Sequence, residues 1–286
     1  MPLNVLRGMP LPWRALDSNL QGAFDLDVRK NDVFVISYPK SGTTWLRNII
    51  SYMLGCPEEQ TNIGLPLELS MCSGASEEEL QTAPPVYKLI ESWLSPRVIM
   101  THLLPHLLPA QLFQKNAKVL YIARNPKDIA VSYFHFFEAL KAPDPCPSWE
   151  QFVPLFMKGE VPFGSYFTHV KQYWEMKHHN NFLFLKYEDL KKEEQAVIKQ
   201  VGAFLGKELD IQDISSISSK CSLESMRKRF SENTQAMSKI IDETKTQFVR
   251  KGKVGDWREY LTAEQSQRFD QLYEEHLGNT GLTLEC

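Results

Sequence analysis

The stretch Val33-Phe34-Val35-Ile36-Ser37-Tyr38-Pro39-Lys40-Ser41-Gly42-Thr43-Thr44-Trp45 decides the fold class. Its first half is a short apolar run of β-branched and aromatic residues and reads as a buried strand. Its second half carries Lys40, Gly42 and the hydroxyls of Ser41, Thr43 and Thr44, and a helical period begins at Thr43. A helix N-terminus offers free N–H groups and partial positive charge, so a strand–loop–helix of this composition suits a phosphate-like anion. Gly42 lets the backbone come close, Lys40 adds a full charge, and the hydroxyls add donors. The bland alternative is an ordinary turn capped by Ser or Thr. The triphosphate loop G-x-x-x-x-G-K-[ST] does not fit, because the Lys precedes the Gly and the first Gly is missing.

Three more apolar runs, at 98–101, 118–123 and 182–186, show little polar alternation. That pattern favours a parallel sheet covered on both faces. Helical periods lie at 43–54, 126–140, 164–178, 190–205 and 262–277, with Asn125 as N-cap and Pro126 at the first helical position of the second. Strand–helix alternation predicts an α/β fold, a central parallel sheet flanked by helices. With 286 residues and no linker or repeat, one domain over residues 1–286 is expected. Residues 56–85 are acidic and broken by Pro and Gly, and are expected to form a long surface excursion. Residues 142–147 form a second irregular stretch.

Composition narrows the function. A net charge of −3 supplies no whole-molecule basic field, so nucleic acid and anionic lipid are not expected partners, and an anion site must come from a local cluster. The cysteines, Cys56, Cys72, Cys146, Cys221 and Cys286, are odd in number and far apart, which reads as reduced thiols without a metal site. No apolar run approaches the ~18 residues of a membrane span, and Pro, Arg and Gly interrupt the N-terminal apolar residues. A soluble, cytoplasmic protein is expected.

Other residues suit the same anion. The run at 98–101 leads into His102, which at a strand end can act as a general base; a hydrogen-bonded structural His is the bland reading. The run at 118–123 leads into Arg124, with Ser132 two turns into the next helix, a pair suited to a second phosphate. Taken alone, Arg124 could equally pair with Asp128. Arg250-Lys251-Gly252-Lys253-Val254-Gly255-Asp256-Trp257 makes a flexible cationic loop. Together these features fit one doubly anionic nucleotide.

The motifs Y-P-K-S-G-T-T-W, T-H-L, A-R-N-P-K-D and R-K-G-x-x-G-D-W, in this order, resemble the cytosolic sulfotransferase family; Lys186-Tyr187-Glu188-Asp189-Leu190 extends the likeness. The resemblance implies sulfuryl transfer from 3′-phosphoadenosine 5′-phosphosulfate (PAPS) to a hydroxyl or amine of a small acceptor, leaving 3′-phosphoadenosine 5′-phosphate (PAP), without a metal. It implies that residues Lys40, Ser41, Gly42, Thr43 and Thr44 hold the 5′-phosphosulfate, with Lys40 also catalytic. Arg124, Ser132, Arg250, Lys251 and Gly252 would hold the 3′-phosphate. Trp45 would stack on adenine, with Tyr187, Phe248 and Cys221 near the nucleoside. His102 would take the acceptor proton. Phe136 falls where the family places a pocket wall, and Trp13, Tyr87 and Trp93 could close the mouth. Glu138 or Asp144 could pair with an acceptor amine, although two solvated carboxylates are the blander reading.

The sequence departs from the family in three places. Met100 stands where the family has Lys, which removes a cation near the transferring group. Cys221-Ser222-Leu223 replaces Thr-Ser-Phe, so Leu223 cannot stack on adenine as Phe does. The dimer motif is degenerate at Arg258, Ala263 and Gln267, so the resemblance leaves a homodimer open without its usual contact. The alternatives are a nucleotide-binding protein of little or no activity, motivated by Met100 and Leu223, and a phosphotransferase, which lacks an evident magnesium ligand.

Overall fold

A computed structural model describes the chain except residues 1, 2, 13, 14, 62–64, 72–77, 79–81, 142–144, 233–240, 243 and 286. A hairpin of β1 (Leu3–Leu6) and β2 (Met9–Pro12) comes first. The central sheet consists of β3 (Val33–Ile36), β4 (Val98–Thr101), β5 (Lys118–Ala123) and β6 (Phe182–Lys186), in spatial order β4-β3-β5-β6 and all parallel. The single α/β domain and its four sheet strands agree with the sequence reading.

Strand alternation builds one core on each face of the sheet. Phe34, Ile36, Val119 and Tyr121 belong to one core, whereas Val33, Val35, Leu120 and Ile122 belong to the other. Helix Thr43–Leu54 packs Leu46, Ile49, Ile50 and Met53 into the second core. Each such side chain stabilises the fold by roughly 1.5–3 kcal/mol when fully buried. This packing fixes where the helix begins and so holds its N-terminus at the end of β3.

The order places β3 between strands reached by crossovers in opposite directions. The crevice between the C-terminal ends of β3 and β5 is therefore a topological switch point, where open α/β sheets bind ligands. Helix Pro126–Ala139 follows β5, and the Asn125 side chain accepts from Lys127 N, as expected of the N-cap.

Four local expectations change. The hairpin was not anticipated: Pro10 and Pro12 argue against a strand, whereas the deciding signal is the turn, where Arg7 and Gly8 both have positive φ. The helix expected over 190–205 is two helices, Tyr187–Lys192 and Glu194–Leu205, separated at Glu193 with φ −132° and ψ 48°. The helix expected over 164–178 is Tyr166–Glu175, because Gly164 has φ +72° and Ser165 caps the first turn. Residues 65–70 also do not lie on the surface: Leu67, Glu68 and Ser70 are fully buried. Leu67 N donates to Met100 O at 2.8 Å, which fastens this segment beside β4. Composition alone hid it, because acidic neighbours obscure a carboxylate that tertiary contacts bury.

Candidate active site

A cavity of about 470 Å³ opens over the ends of β3 and β5. One end is lined by the loop after β3, Arg124, Tyr187 and residues 248–252. The other is apolar and includes Leu65, Leu69, Met100, Phe136, Phe137 and Phe163.

The turn after β3 is held in a shape that presents backbone to the cavity. Lys40 has φ +70° and Gly42 has φ +100°. A Cβ on Gly42 would come 2.7 Å from Tyr187 Cδ2, so glycine is needed both for conformation and for space. No side chain caps helix Thr43–Leu54, so its first N–H groups remain available to an anion. Lys40 Nζ lies 4.5 Å from the ring centroids of both Phe136 and Phe248. Withdrawal from water, then the positive charges of Arg124 and Arg250, push its ammonium down to about 7. An anion placed there would stabilise the ammonium and offset both effects.

A second cationic group faces it. Arg124 Nη2 donates to Lys253 O at 3.0 Å and Nη1 to Lys40 O at 3.3 Å, and the guanidinium lies 4.3 Å from the centroid of Tyr187. Arg250 pairs with Asp256 at 2.6 Å. Arg124 Nε and Arg250 Nε and Nη1 are buried donors without a hydrogen-bond partner among the described residues. Such orphaned donors call for an anionic ligand. Lys251 pairs with Asp256 and Glu259, which hold its ammonium well above the usual range. Gly252 has φ +59°, and a Cβ there would meet Leu223 at 3.3 Å.

His102 lines the same cavity. Its Nδ1 lies 2.7 Å from the carbonyl oxygen of Ser37. A carbonyl only accepts, so Nδ1 carries the proton and Nε2 keeps the lone pair. Burial is the main cause that pushes the imidazole down to about 4, so the ring stays neutral at ordinary pH. Phe163 lies edge-on to it at 5.2 Å. A neutral imidazole, an ammonium and two guanidinium groups around one apolar chamber can deprotonate a hydroxyl while stabilising negative charge on its partner.

The family profile described as the sulfotransferase domain matches residues 30–281. The chain belongs to the sulfotransferase family. It is 33% identical over 291 residues to Sulfotransferase 1B1 of Canis lupus familiaris, covering 98% of this chain and 94% of that one. The crystal structure of mouse sulfotransferase SULT7A1 complexed with PAP matches with a TM-score of 0.77 and 30% identity, over 97% of this chain and 94% of that chain. Retinol dehydratase in complex with retinol and PAP matches with a TM-score of 0.76 and 25% identity, over 95% and 89% of the two chains.

In this sulfotransferase, most residues singled out from the sequence come together. Lys40, Gly42, Thr43, Thr44, Trp45, Met100, His102, Arg124, Ser132, Phe136, Tyr187, Cys221, Leu223, Phe248, Arg250, Lys251 and Gly252 all line the cavity. Ser41 does not: its side chain is fully buried and its N–H donates to Tyr38 O. The Thr43 hydroxyl is shared with Ser37 at 2.5 Å. Burial pushes the Cys221 thiol up to about 12, which disfavours the reactive thiolate.

The mouth residues fare differently. Tyr87 is not a lining residue; its ring covers Gly22, where a Cβ would sit 2.1 Å from Tyr87 Cζ. Trp93 is core. Trp13 and Asp144 lie outside the described residues. Glu138 pairs with His135 at 2.7 Å and does not line the cavity, so no carboxylate of this helix is offered to an acceptor amine.

Two supporting residues, Arg227 and Glu68, escaped sequence reading, and a third, Asp128, was read only as a partner of Arg124. Asp128 accepts from Gly255 N at 2.7 Å and Trp257 N at 3.0 Å, which carries the cationic loop to Arg124. This is its main role: its contact with Arg124 is 3.8 Å. Arg227 donates to the main-chain oxygens of Val249 and Arg250. Glu68 lies behind His102. Only Asp128 left a sequence signal, its place four residues after Arg124.

Proposed function

We propose that this sulfotransferase moves the sulfuryl group of PAPS to the hydroxyl of a small, mainly apolar acceptor such as a phenol, catechol or steroid alcohol, with His102 as general base. The observation that carries this reading is the fixed tautomer of His102 in the chamber that also holds Lys40, Arg124 and Arg250. When bound, PAPS supplies a sulfuryl group on an activated phosphate. The free N–H groups at Thr43 and Thr44, with Lys40, hold the 5′ side and neutralise the oxygen left behind as the S–O bond breaks. Arg124, Ser132, Arg250, Lys251 and Gly252 hold the 3′-phosphate, and the orphaned guanidinium donors fit it. Trp45, Tyr187, Cys221 and Phe248 bound the nucleoside. His102 accepts the hydroxyl proton at Nε2 while Nδ1 stays hydrogen-bonded to Ser37.

The apolar end, with Phe136 and Phe137, suits a neutral ring or polyene. The structure of a relative holding both retinol and PAP supports an alcohol of that character. The reading needs no metal ion, places the protein in the cytoplasm, and takes residues 1–286 as one working unit. Among the described residues no helix is long and apolar enough to cross a membrane.

The test is acceptor-dependent release of PAP from PAPS by purified protein in excess EDTA, across phenols, catecholamines and hydroxysteroids. Release with neutral phenols or alcohols supports the reading. Strict preference for an amine-bearing acceptor overturns the acceptor class. Met100 and Leu223, both lining the cavity, favour a second reading, a nucleotide binder of little or no activity. It gives thermal stabilisation by PAP without product for any acceptor.

A further inference from the structure

Glu68 is fully buried, and its carboxylate is used twice. Oε2 accepts from the Thr101 hydroxyl at 2.7 Å, and Oε1 accepts from the main-chain N–H of His102 at 3.0 Å. Thr101 Oγ1 in turn accepts from Leu103 N at 3.1 Å. The opposite side of the same backbone is held by another element: His169 Nε2 donates to His102 O at 3.0 Å, with Tyr121 OH donating to His169 Nδ1 at 2.8 Å. Tyr173 OH donates to Leu103 O. The backbone at His102 is thus gripped through both its N–H and its carbonyl, while the ring is fixed by Ser37.

The Glu68 grip differs from the others because its own neighbours touch the acceptor end. Leu65, Pro66 and Leu69 line the cavity, and Leu67 N is tied to Met100 O. One short segment therefore walls the acceptor chamber and holds the backbone of the base.

We propose that Glu68 is a positioning residue for His102: its carboxylate anchors the 101–103 backbone and ties the acceptor-side wall to the base. This rests on His102 being the base, as argued above. Burial pushes the Glu68 carboxyl up to about 7, while its hydrogen bonds from Thr101 and His102 favour the ionised form, and that form is a stronger and more directional anchor than a neutral group. A base displaced by a fraction of an ångström loses its alignment with the acceptor hydroxyl. The nucleotide end is built from other segments and does not depend on Glu68.

The experiment compares Glu68→Gln, Glu68→Asp and Glu68→Ala in the full chain. It measures kcat, acceptor KM, and PAP affinity by calorimetry. Glu68→Ala removes both acceptors and is expected to lower kcat by about 10²-fold. Glu68→Gln keeps one carbonyl for the His102 N–H and is expected to recover about tenfold of that loss. PAP affinity is expected to stay within about twofold in every folded variant, because the hydrogen bonds of the Glu68 carboxylate reach Thr101 and His102 and none of the groups proposed to hold the nucleotide. If Glu68→Ala does not fold, Glu68→Gln and Glu68→Asp carry the test through the same split between kcat and PAP affinity. The proposal is overturned if both conservative variants keep the parent kcat, or if PAP binding weakens by the same factor as kcat. A His102→Ala protein that still turns over at the parent rate removes the base assignment itself, a failure distinct from that of Glu68.

Discussion

The Nδ1 nitrogen of His102 donates to the main-chain oxygen of Ser37 across 2.7 Å, joining the residue after β4 to the residue after β3. The two strands are parallel neighbours with Ile36 opposite Thr101, so sheet register delivers the bond. It sets the tautomer of His102 before any ligand arrives. We expect His102→Ala to lower turnover by about 10²–10⁴-fold while PAP affinity stays within about twofold. Parent-like turnover in a folded His102→Ala protein would remove His102 from the chemistry.

Under the proposed role of Lys40, nucleotide binding is expected to depend on pH. Its ammonium is pushed down to about 7 in the free protein, and a bound anion raises it again. Binding therefore takes up a proton. Affinity is fully present below pH about 7 and falls as pH rises through it, approaching about tenfold per pH unit. Calorimetry with PAP should show this fall in the parent and a flatter profile in Lys40→Arg, whose guanidinium stays charged. Equal slopes in the two proteins would assign the titration elsewhere.

Gly42 and Gly55 both have positive φ but differ in surroundings. A Cβ at Gly42 meets Tyr187 at 2.7 Å, whereas one at Gly55 meets nothing within 4 Å. Both alanine variants should lose about 1–2 kcal/mol of stability to backbone strain. Only Gly42→Ala should also weaken PAP binding, by about tenfold or more. Unchanged binding in that variant would mean that the turn and the Tyr187 ring adjust freely.

Arg97 and Asp32 form a buried pair at the other end of the sheet. Arg97 Nε donates to Asp32 Oδ1 at 2.8 Å, with the side chains 1% and 0% exposed. Arg97→Ala strands a carboxylate in the core and should cost about 3–5 kcal/mol in urea unfolding. A loss below about 1 kcal/mol would mean that the pair behaves like a surface bridge.

The sequence was legible wherever physics acts locally. Four strands, the helix starting at Thr43 and the Asn125 cap are written in runs of a few residues, because burial pattern and capping depend on near neighbours. Tyr87 shows the limit. Its aromatic character suits a pocket mouth equally well, yet only packing decides that it covers Gly22.

By itself, then, the sequence determined the class of fold and the strand–loop–helix turn after β3, and the family resemblance named the groups expected around it. The first two follow from residue type and spacing along the chain. Tertiary structure alone decided that Glu68 lies buried behind His102, that Asp128 holds the loop carrying Arg250, and that Ser41 is buried and does not line the cavity. Those contacts join residues 34 and 127 positions apart in the first two cases. A carboxylate's value there comes from burial and from the N–H groups it meets, and neither property exists until the sheet and its crossovers have closed around it.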